Sequence, residues 1–197
     1  MGKQKMNIFY LDHDVKKCAE MTCDKHVVKM VIEYAQLLST AHRMQDGVEY
    51  TELSKNNRKI KRWRLTDERE DILYKASHIN HPSAVWVRLS KQHYTWLHNL
   101  LTACLNEYTN RYGKTHLIRS SGLELALASP PNSSVDKHFS EPPPAMPEQH
   151  KVKNNVIQSY KNYYIHEKNY FAKWKNGNAP KWYTEGVKQL NSNNAYI

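Results

Sequence analysis

Glycine is scarce in this chain, with 6 residues in 197, and there are only three cysteines. Few glycines and few alternating β-branched runs argue against a β-sandwich and for helices. Cys18, Cys23 and Cys104 are odd in number, so they do not form a disulfide framework, and a reducing, cytoplasmic setting is expected. No apolar run approaches the ~18 residues of a membrane span. The opening Met1-Gly2-Lys3-Gln4-Lys5-Met6 has no apolar secretion segment and no Ser or Thr at position 6 for myristoylation. There is no phosphate-cradling glycine loop, no dinucleotide glycine motif, no His-Glu-x-x-His and no Gly-x-Ser-x-Gly, so kinase, dehydrogenase, zinc-protease and serine-hydrolase chemistry find no support. No metal or cofactor is expected.

What the chain has is positive charge and aromatics. There are 29 Lys and Arg against 19 Asp and Glu, for a net charge of +10, and 13 tyrosines. Such a balance attracts polyanions, nucleic acid first and an anionic membrane surface second. Forty percent of residues are hydrophobic, enough for a core at this length.

The patterning predicts an all-α, compact, single-domain helical bundle over 1–197, with three long helices and a proline-rich loop. Asp14 is placed to cap a helix running from about Val15 to Met44. Within it Val27, Met30, Val31, Tyr34, Leu38 and Ala41 recur at three- and four-residue steps and form a buried stripe. Residues 45–65 read as a polar, basic insertion loop. Asp67 and Glu70 have capping-box spacing at a helix start. After the Asn80-His81-Pro82 turn, a second long helix covers about Ser83 to Tyr112, with Val85, Leu89, Trp96, Leu97, Leu100, Leu101, Cys104, Leu105 and Tyr108 inward and Gly113 as its stop. Six prolines between 130 and 147 forbid long helix, so 120–150 is read as an extended loop with a short helical piece near Leu123–Ala128. A third helix is expected over about Asn155 to Lys175, ended by Gly177 and Pro180.

Several constellations could carry chemistry. His26, Lys29, Glu33, Gln36, Thr40 and Arg43 follow one another at steps of 3, 4, 3, 4 and 3, which places them on one helical face. Every surface helix has a solvated polar face, but this one mixes a base, a cation, an acid and an amide. If it lines a cleft, Glu33 is the natural acid or carboxylate stabiliser, and His26 its orienting or phosphate-binding neighbour. Cys18, Cys23 and His26 are zinc-ligand types that share a helix face badly, so buried thiols are the better reading. Lys55, Arg58, Lys59, Lys61, Arg62 and Arg64 crowd ten residues around Trp63, where cations can meet phosphates and an indole can stack on a base. Lys161, Lys168 and Lys175 repeat every seven residues and would form a basic ridge. Pro180-Lys181-Trp182-Tyr183 is either an exposed stacking platform or a buried clamp.

The Asp24-Lys25-His26 segment followed by Glu33 resembles the start of the first long helix in bacteriophage endonuclease V-type pyrimidine-dimer DNA glycosylases. The Tyr94–Gly113 segment, with Trp96-Leu97 and Cys104-Leu105, is similar to that family's second long helix, and Pro180-Lys181-Trp182-Tyr183 to its C-terminal Pro-x-Trp-Tyr, with Lys175 five residues before the proline as a DNA-contacting lysine. The resemblance implies a helical domain, a kinked duplex, a flipped nucleotide and an essential glutamate, here Glu33. The family's nucleophile is the free α-amine of an N-terminal residue. Here that would be Gly2 after loss of Met1, since the residue fourteen before His26 is Asp12 and is internal.

These features together lead us to expect a DNA glycosylase, with or without a strand-cleaving lyase step. The expected catalytic residues are Glu33, His26 and Gly2. The expected DNA contacts are Lys25, Lys29, Arg43, Arg58, Lys59, Lys61, Arg62, Trp63, Arg64, Lys161, Lys168, Lys175, Trp182 and Tyr183. The expected partner is double-stranded DNA, met by a monomer. The alternatives are a non-catalytic DNA-binding protein and another DNA base-modifying enzyme.

Overall fold

A computed structural model describes residues 6–175 and 179–194. It is mostly helical, with one small two-stranded sheet. Gly2 and Gly177 lie outside the described residues.

The chain enters through an extended segment, residues 6–11, which is buried throughout and runs through the core. Helix α1 (Val15–Met21) follows, capped as expected by the Asp14 carboxylate, which accepts the Lys17 N–H at 2.9 Å. The helix expected to continue to Met44 instead breaks at Thr22 and Cys23, both extended, and restarts as α2 (Asp24–Asp46). The break is held from outside. Arg111 donates to the Thr22 carbonyl at 2.8 Å and to the Asp24 carboxylate at 3.0 Å, and the Asp24 N–H donates to the Lys173 carbonyl. Along α2 the stripe Val27, Met30, Val31, Tyr34, Leu38 and Ala41 is buried, as its spacing predicts.

Residues expected to form a basic loop fold as a hairpin, β1 (Val48–Leu53) antiparallel to β2 (Lys59–Arg64). The turn uses Asn57 in the left-handed region, φ +55°, where asparagine is better tolerated than most residues. Short helix α3 (Arg69–Ile72) comes next. The Asp67 carboxylate accepts the Arg69 N–H at its start, but Glu70 does not reach back to close a capping box. It accepts the Leu65 N–H at 2.8 Å and pairs with Arg43.

The second long helix is also divided, into α4 (Pro82–Val87) and α5 (Lys91–Tyr112), because Ser90 is fully extended. Val85 and Leu89, expected inside, are therefore exposed, while Leu97, Leu100, Leu101, Cys104 and Leu105 are buried against α1 and α2. Gly113 ends α5 with φ +63°, a left-handed C-cap. Two single-turn helices follow, α6 (Leu117–Ser120) and α7 (Leu123–Ala126).

The proline-rich stretch is a strap pinned to the helices. The Lys91 N–H donates to Val135, the Trp86 indole to Ser140, and the Ser140 N–H to His93. Helix α8 (Val156–Glu167) is shorter than expected, so Lys168 and Lys175 are not on it and no heptad ridge forms. Helix α9 (Lys181–Asn194) crosses α8 closely: a Cβ built on Gly186 would fall 2.3 Å from Ile165 Cδ1. Among the described residues, no helix is long and apolar enough to cross a membrane.

Candidate functional site

Three elements distant in sequence meet at the N-terminal half of α2. The entering segment supplies Asn7 and Phe9, α2 supplies His26, Lys29, Met30 and Glu33, α8 supplies Tyr163, and Lys168 follows directly after α8. Together they line a hollow of about 230 Å³.

Glu33 is 5% exposed. Its Oε2 accepts the Asn7 backbone N–H at 3.1 Å. Its Oε1 lies 3.0 Å from the Lys29 ammonium, an ion pair across one helical turn, and is shut from open solvent. Among the described residues no second donor reaches that oxygen. A buried carboxylate held by one cation and one backbone N–H retains capacity for a further donor.

Asn7 is fixed by three further bonds. Its Oδ1 accepts from the Tyr160 hydroxyl at 2.7 Å and from the Ile8 N–H at 3.0 Å, and its Nδ2 donates to the Ala145 carbonyl at 3.0 Å. The proline strap and α8 thus hold the residue that holds Glu33.

The wall is aromatic. Phe9 stacks on His26, with centroids 4.3 Å apart, and faces Tyr163 nearly parallel, at 6.2 Å and 9°. His26 is buried, with Nδ1 2.6 Å from the Tyr164 hydroxyl. Burial, helped by the charges of Lys168, Lys29 and Lys25, pushes its pKa down to about 3. His26 is therefore a neutral ring at ordinary pH, able to donate one hydrogen bond but not to pair as a cation. Lys168 lies over the Tyr163 ring at 4.4 Å, and Lys25 over Phe171 at 4.8 Å. With Lys29 they give the rim positive charge.

The remaining half of the polar stripe does not reach this hollow. Gln36 donates to the Lys75 carbonyl at 2.8 Å and Thr40 bonds the Ser77 backbone. Arg43, expected to face DNA, is 2% exposed. It donates to the carbonyls of Tyr74, Trp63, Glu70 and Leu73 and pairs with the Glu70 carboxylate. It fastens the hairpin and the 70–74 segment to α2.

The basic cluster on the hairpin divides likewise. Lys61 pairs with Glu49 at 2.8 Å, Arg62 with Glu52 at 2.7 Å, and Arg64 lies over Tyr50. Trp63 is buried and cannot serve as an exposed stacking surface. Lys55, Arg58 and Lys59 are exposed at the tip and carry no salt bridge among the described residues.

Lys175 and Trp182 border a larger hollow of about 650 Å³ between the ends of α1 and α5 and the start of α9. Lys175 lies over Tyr112, and Lys161 over Trp182. The charged group at its floor, Arg111, is already bound to Glu107, Asp24 and three backbone carbonyls. Tyr183 is buried and bonds Ala172, so the Pro180–Tyr183 segment acts as a clamp. This hollow is the larger of the two, but its charged group is already paired, and the Glu33 carboxylate lies in the smaller one.

The three cysteines are free and buried, and Cys18 is bonded to the backbone of Phe9 and Leu11. Among the described residues, no cluster of His, Cys, Asp and Glu is arranged to hold a metal ion. Comparison with protein-family models, with curated proteins and with solved structures finds no match for this chain.

The buried histidines give the fold a defined acid sensitivity. His42 accepts from the Arg69 guanidinium at Nδ1, so its Nε2–H faces the Tyr94 hydroxyl, which in turn donates to the Leu127 carbonyl. Burial and Arg69 push the His42 pKa down to about 4, against 6.5 for a free ring. A depressed histidine pKa means that the unfolded chain binds protons first. The contribution is complete above pH 6.5 and is lost as pH falls towards about 4 for His42 and about 3 for His26. Each ring is worth about 1 kcal/mol or more per pH unit across that window. Thermal melts from pH 7 to pH 4.5 should show a steady fall in Tm, and a flat profile would contradict the buried, neutral state of both rings.

Proposed function

We propose that this protein binds double-stranded DNA and excises a damaged or modified base from an everted nucleotide, with Glu33 as the catalytic carboxylate. The observation that carries this reading is the buried Glu33 carboxylate, held by the Asn7 N–H and the Lys29 ammonium in a small, aromatic-walled hollow rimmed by lysines. A hollow of about 230 Å³ is below the roughly 300–1,000 Å³ usual for small-molecule sites. It suits one planar ring better than a cosubstrate together with a base.

Base loss leaves positive charge on the sugar at C1′. A fixed carboxylate stabilises that charge, and can also take a proton from an attacking water. Stacking on the half-buried Tyr163 ring, with Phe9 packed behind it, compensates the everted base for its lost neighbours. His26, neutral, orients the substrate by a single hydrogen bond. Lys25, Lys29 and Lys168 meet the adjacent phosphates, and the hairpin-tip cations Lys55, Arg58 and Lys59 meet more distant ones. Arg43 and Trp63 have no part in DNA contact on this reading. The resemblance to endonuclease V-type glycosylases points the same way.

The test is incubation with a panel of duplexes, each carrying one damaged or modified base, followed by alkali to cleave at abasic sites. Strand breaks at the lesion in one or more duplexes are expected. No abasic site in any of them, with no salt-sensitive binding to duplex DNA, refutes the proposal.

A further inference from the structure

The hairpin of β1 and β2 has two unlike faces. On one, the register pairs Tyr50 with Arg62 and Glu52 with Ile60. These four are half-buried, Arg62 binds Glu52, and Arg64 covers the Tyr50 ring, so that face is closed by its own contacts. The other face pairs Thr51 with Lys61 and Leu53 with Lys59, and all four residues are exposed. A single exposed leucine is ordinary, but Leu53, 62% open, stands between Lys59 across the ladder and Lys55 in the turn. No acidic residue occurs from Leu53 to Arg64. Lys61 does pair with Glu49, yet both side chains are exposed, and such pairs are weak and screened by salt. The ribbon is also fixed at both ends. In the turn, the Ser54 N–H donates to the Arg58 carbonyl at 2.8 Å and the Arg58 N–H to the Ser54 hydroxyl at 3.1 Å. At the base, Trp63 is buried and its carbonyl accepts from Arg43. The open face is therefore cationic, part apolar and held in one orientation.

Besides a helix, a two-stranded ribbon is the element that the major groove of B-form DNA, about 12 Å wide, admits. Each strand of six residues spans about 20 Å, the rise of about six base pairs. We infer that the Thr51–Leu53–Lys59–Lys61 face lies in the major groove of duplex DNA, as a second grip apart from the Glu33 hollow. The inference rests on the DNA-binding part of the reading above, and it turns the hairpin from a tip that meets phosphates into a ribbon that meets bases. Lys59 and Lys61, with Lys55 and Arg58 at the turn, neutralise phosphates on the groove walls. Leu53 packs on thymine methyl groups, and the Thr51 hydroxyl meets base edges, which present both donors and acceptors there. The two grips are spaced by α2. From Lys29 at the hollow to Gly47, where the hairpin leaves, the helix runs about 27 Å, or about eight base pairs. For a duplex lying along α2, the ribbon contact falls about eight or more base pairs from the everted nucleotide.

The experiment uses the full chain and a DNA duplex with one reduced abasic site, long enough to reach both grips. Dimethyl sulfate reports on guanine N7, which lies in the major groove. Protection of N7 is expected about eight or more base pairs from the site, on one side of it. The double variant Lys59→Ala, Lys61→Ala should lose this protection, bind about tenfold more weakly and reduce the slope of log affinity against log salt by about two. Leu53→Ser should weaken binding several-fold at an unchanged slope, since it removes an apolar contact and no charge. Melting curves of both should match the parent, because the changes are at exposed positions. An RNA duplex of the same sequence carries the same phosphates behind a major groove too deep and narrow for side chains to read. It should bind about tenfold more weakly than the DNA duplex, and the double variant should narrow that gap. Fully reactive N7, equal affinity for the two duplexes, or parental binding by the double variant overturns the inference. N7 protection without base release from any damaged duplex upholds the ribbon contact and defeats the excision reading. Base release with every N7 left reactive does the reverse.

Discussion

Glu33→Gln is expected to lower base release by about 10²–10⁴-fold, the range for removing a positioned acid or base, while leaving the fold in place. The neutral amide keeps an oxygen that can accept the Asn7 N–H, and that hydrogen bond is the structural link between the entering segment and α2. What the substitution removes is the charge that faces Lys29 and the hollow. Loss of activity with an unchanged melting curve is therefore the signature of a chemical role. Glu33→Asp tests position: the shorter side chain retains charge but withdraws the oxygen that faces Lys29, and an intermediate rate is expected. If Glu33→Gln retains full activity, or if it only tightens DNA binding by removing a repulsive charge, the carboxylate is not catalytic and a DNA-binding protein without chemistry is the better description.

Arg43→Ala is expected to be the most damaging single substitution for stability. The guanidinium is spent entirely inside the protein, on four carbonyls and one carboxylate. Removing the guanidinium leaves the buried carbonyls of Trp63 and Leu73 without this donor, at about 1–3 kcal/mol each, while Glu70, 34% exposed and still accepting the Leu65 N–H, loses less. For a chain of this size that corresponds to a fall in Tm of roughly 10 °C. Arg43→Lys should rescue little, since an ammonium cannot span the same fork of acceptors. Amide exchange should rise first in the hairpin and in residues 65–77, the elements Arg43 ties down. A mutant that melts within about 1 kcal/mol of the parent, the scale of ordinary surface changes, would show that the clamp is not needed.

The same residue shows where sequence reasoning holds and where it stops. The step of 3, 4, 3, 4 and 3 correctly puts Arg43 on one helical face with Glu33, because α2 does run unbroken from Asp24 to Asp46. Periodicity cannot say that the far half of that face is covered by residues 70–77. The apolar stripe of α2 and the inner face of α5 were readable because their burial follows helical period directly. The break at Thr22–Cys23 was not, since neither residue forbids helix and the contacts that force it come from Arg111 and Lys173. The hairpin did have a local signal: β-branched and aromatic residues, Val48, Tyr50 and Thr51 on one strand and Ile60 and Trp63 on the other, flank an asparagine-containing turn. The density of positive charge masked it. In the candidate site, His26, Lys29 and Glu33 came from one helix and could be named together. Asn7, Phe9 and Tyr163 come from segments about 20 to 130 residues away and have no motif to announce them.

The bond from Tyr160 to Asn7 links positions 153 residues apart, which fixes the order in which the molecule can become competent. During synthesis the 6–11 segment emerges well before α8 and must wait for Tyr160, 153 residues later, to lock it. A chain cut before residue 156 would keep Glu33 and Lys29 yet lack the Tyr163 wall and the anchor that steadies Asn7. Contacts this distant in sequence are slow to close. A growing chain therefore carries the Glu33 hollow unfinished until residues 156–167 have been added and folded.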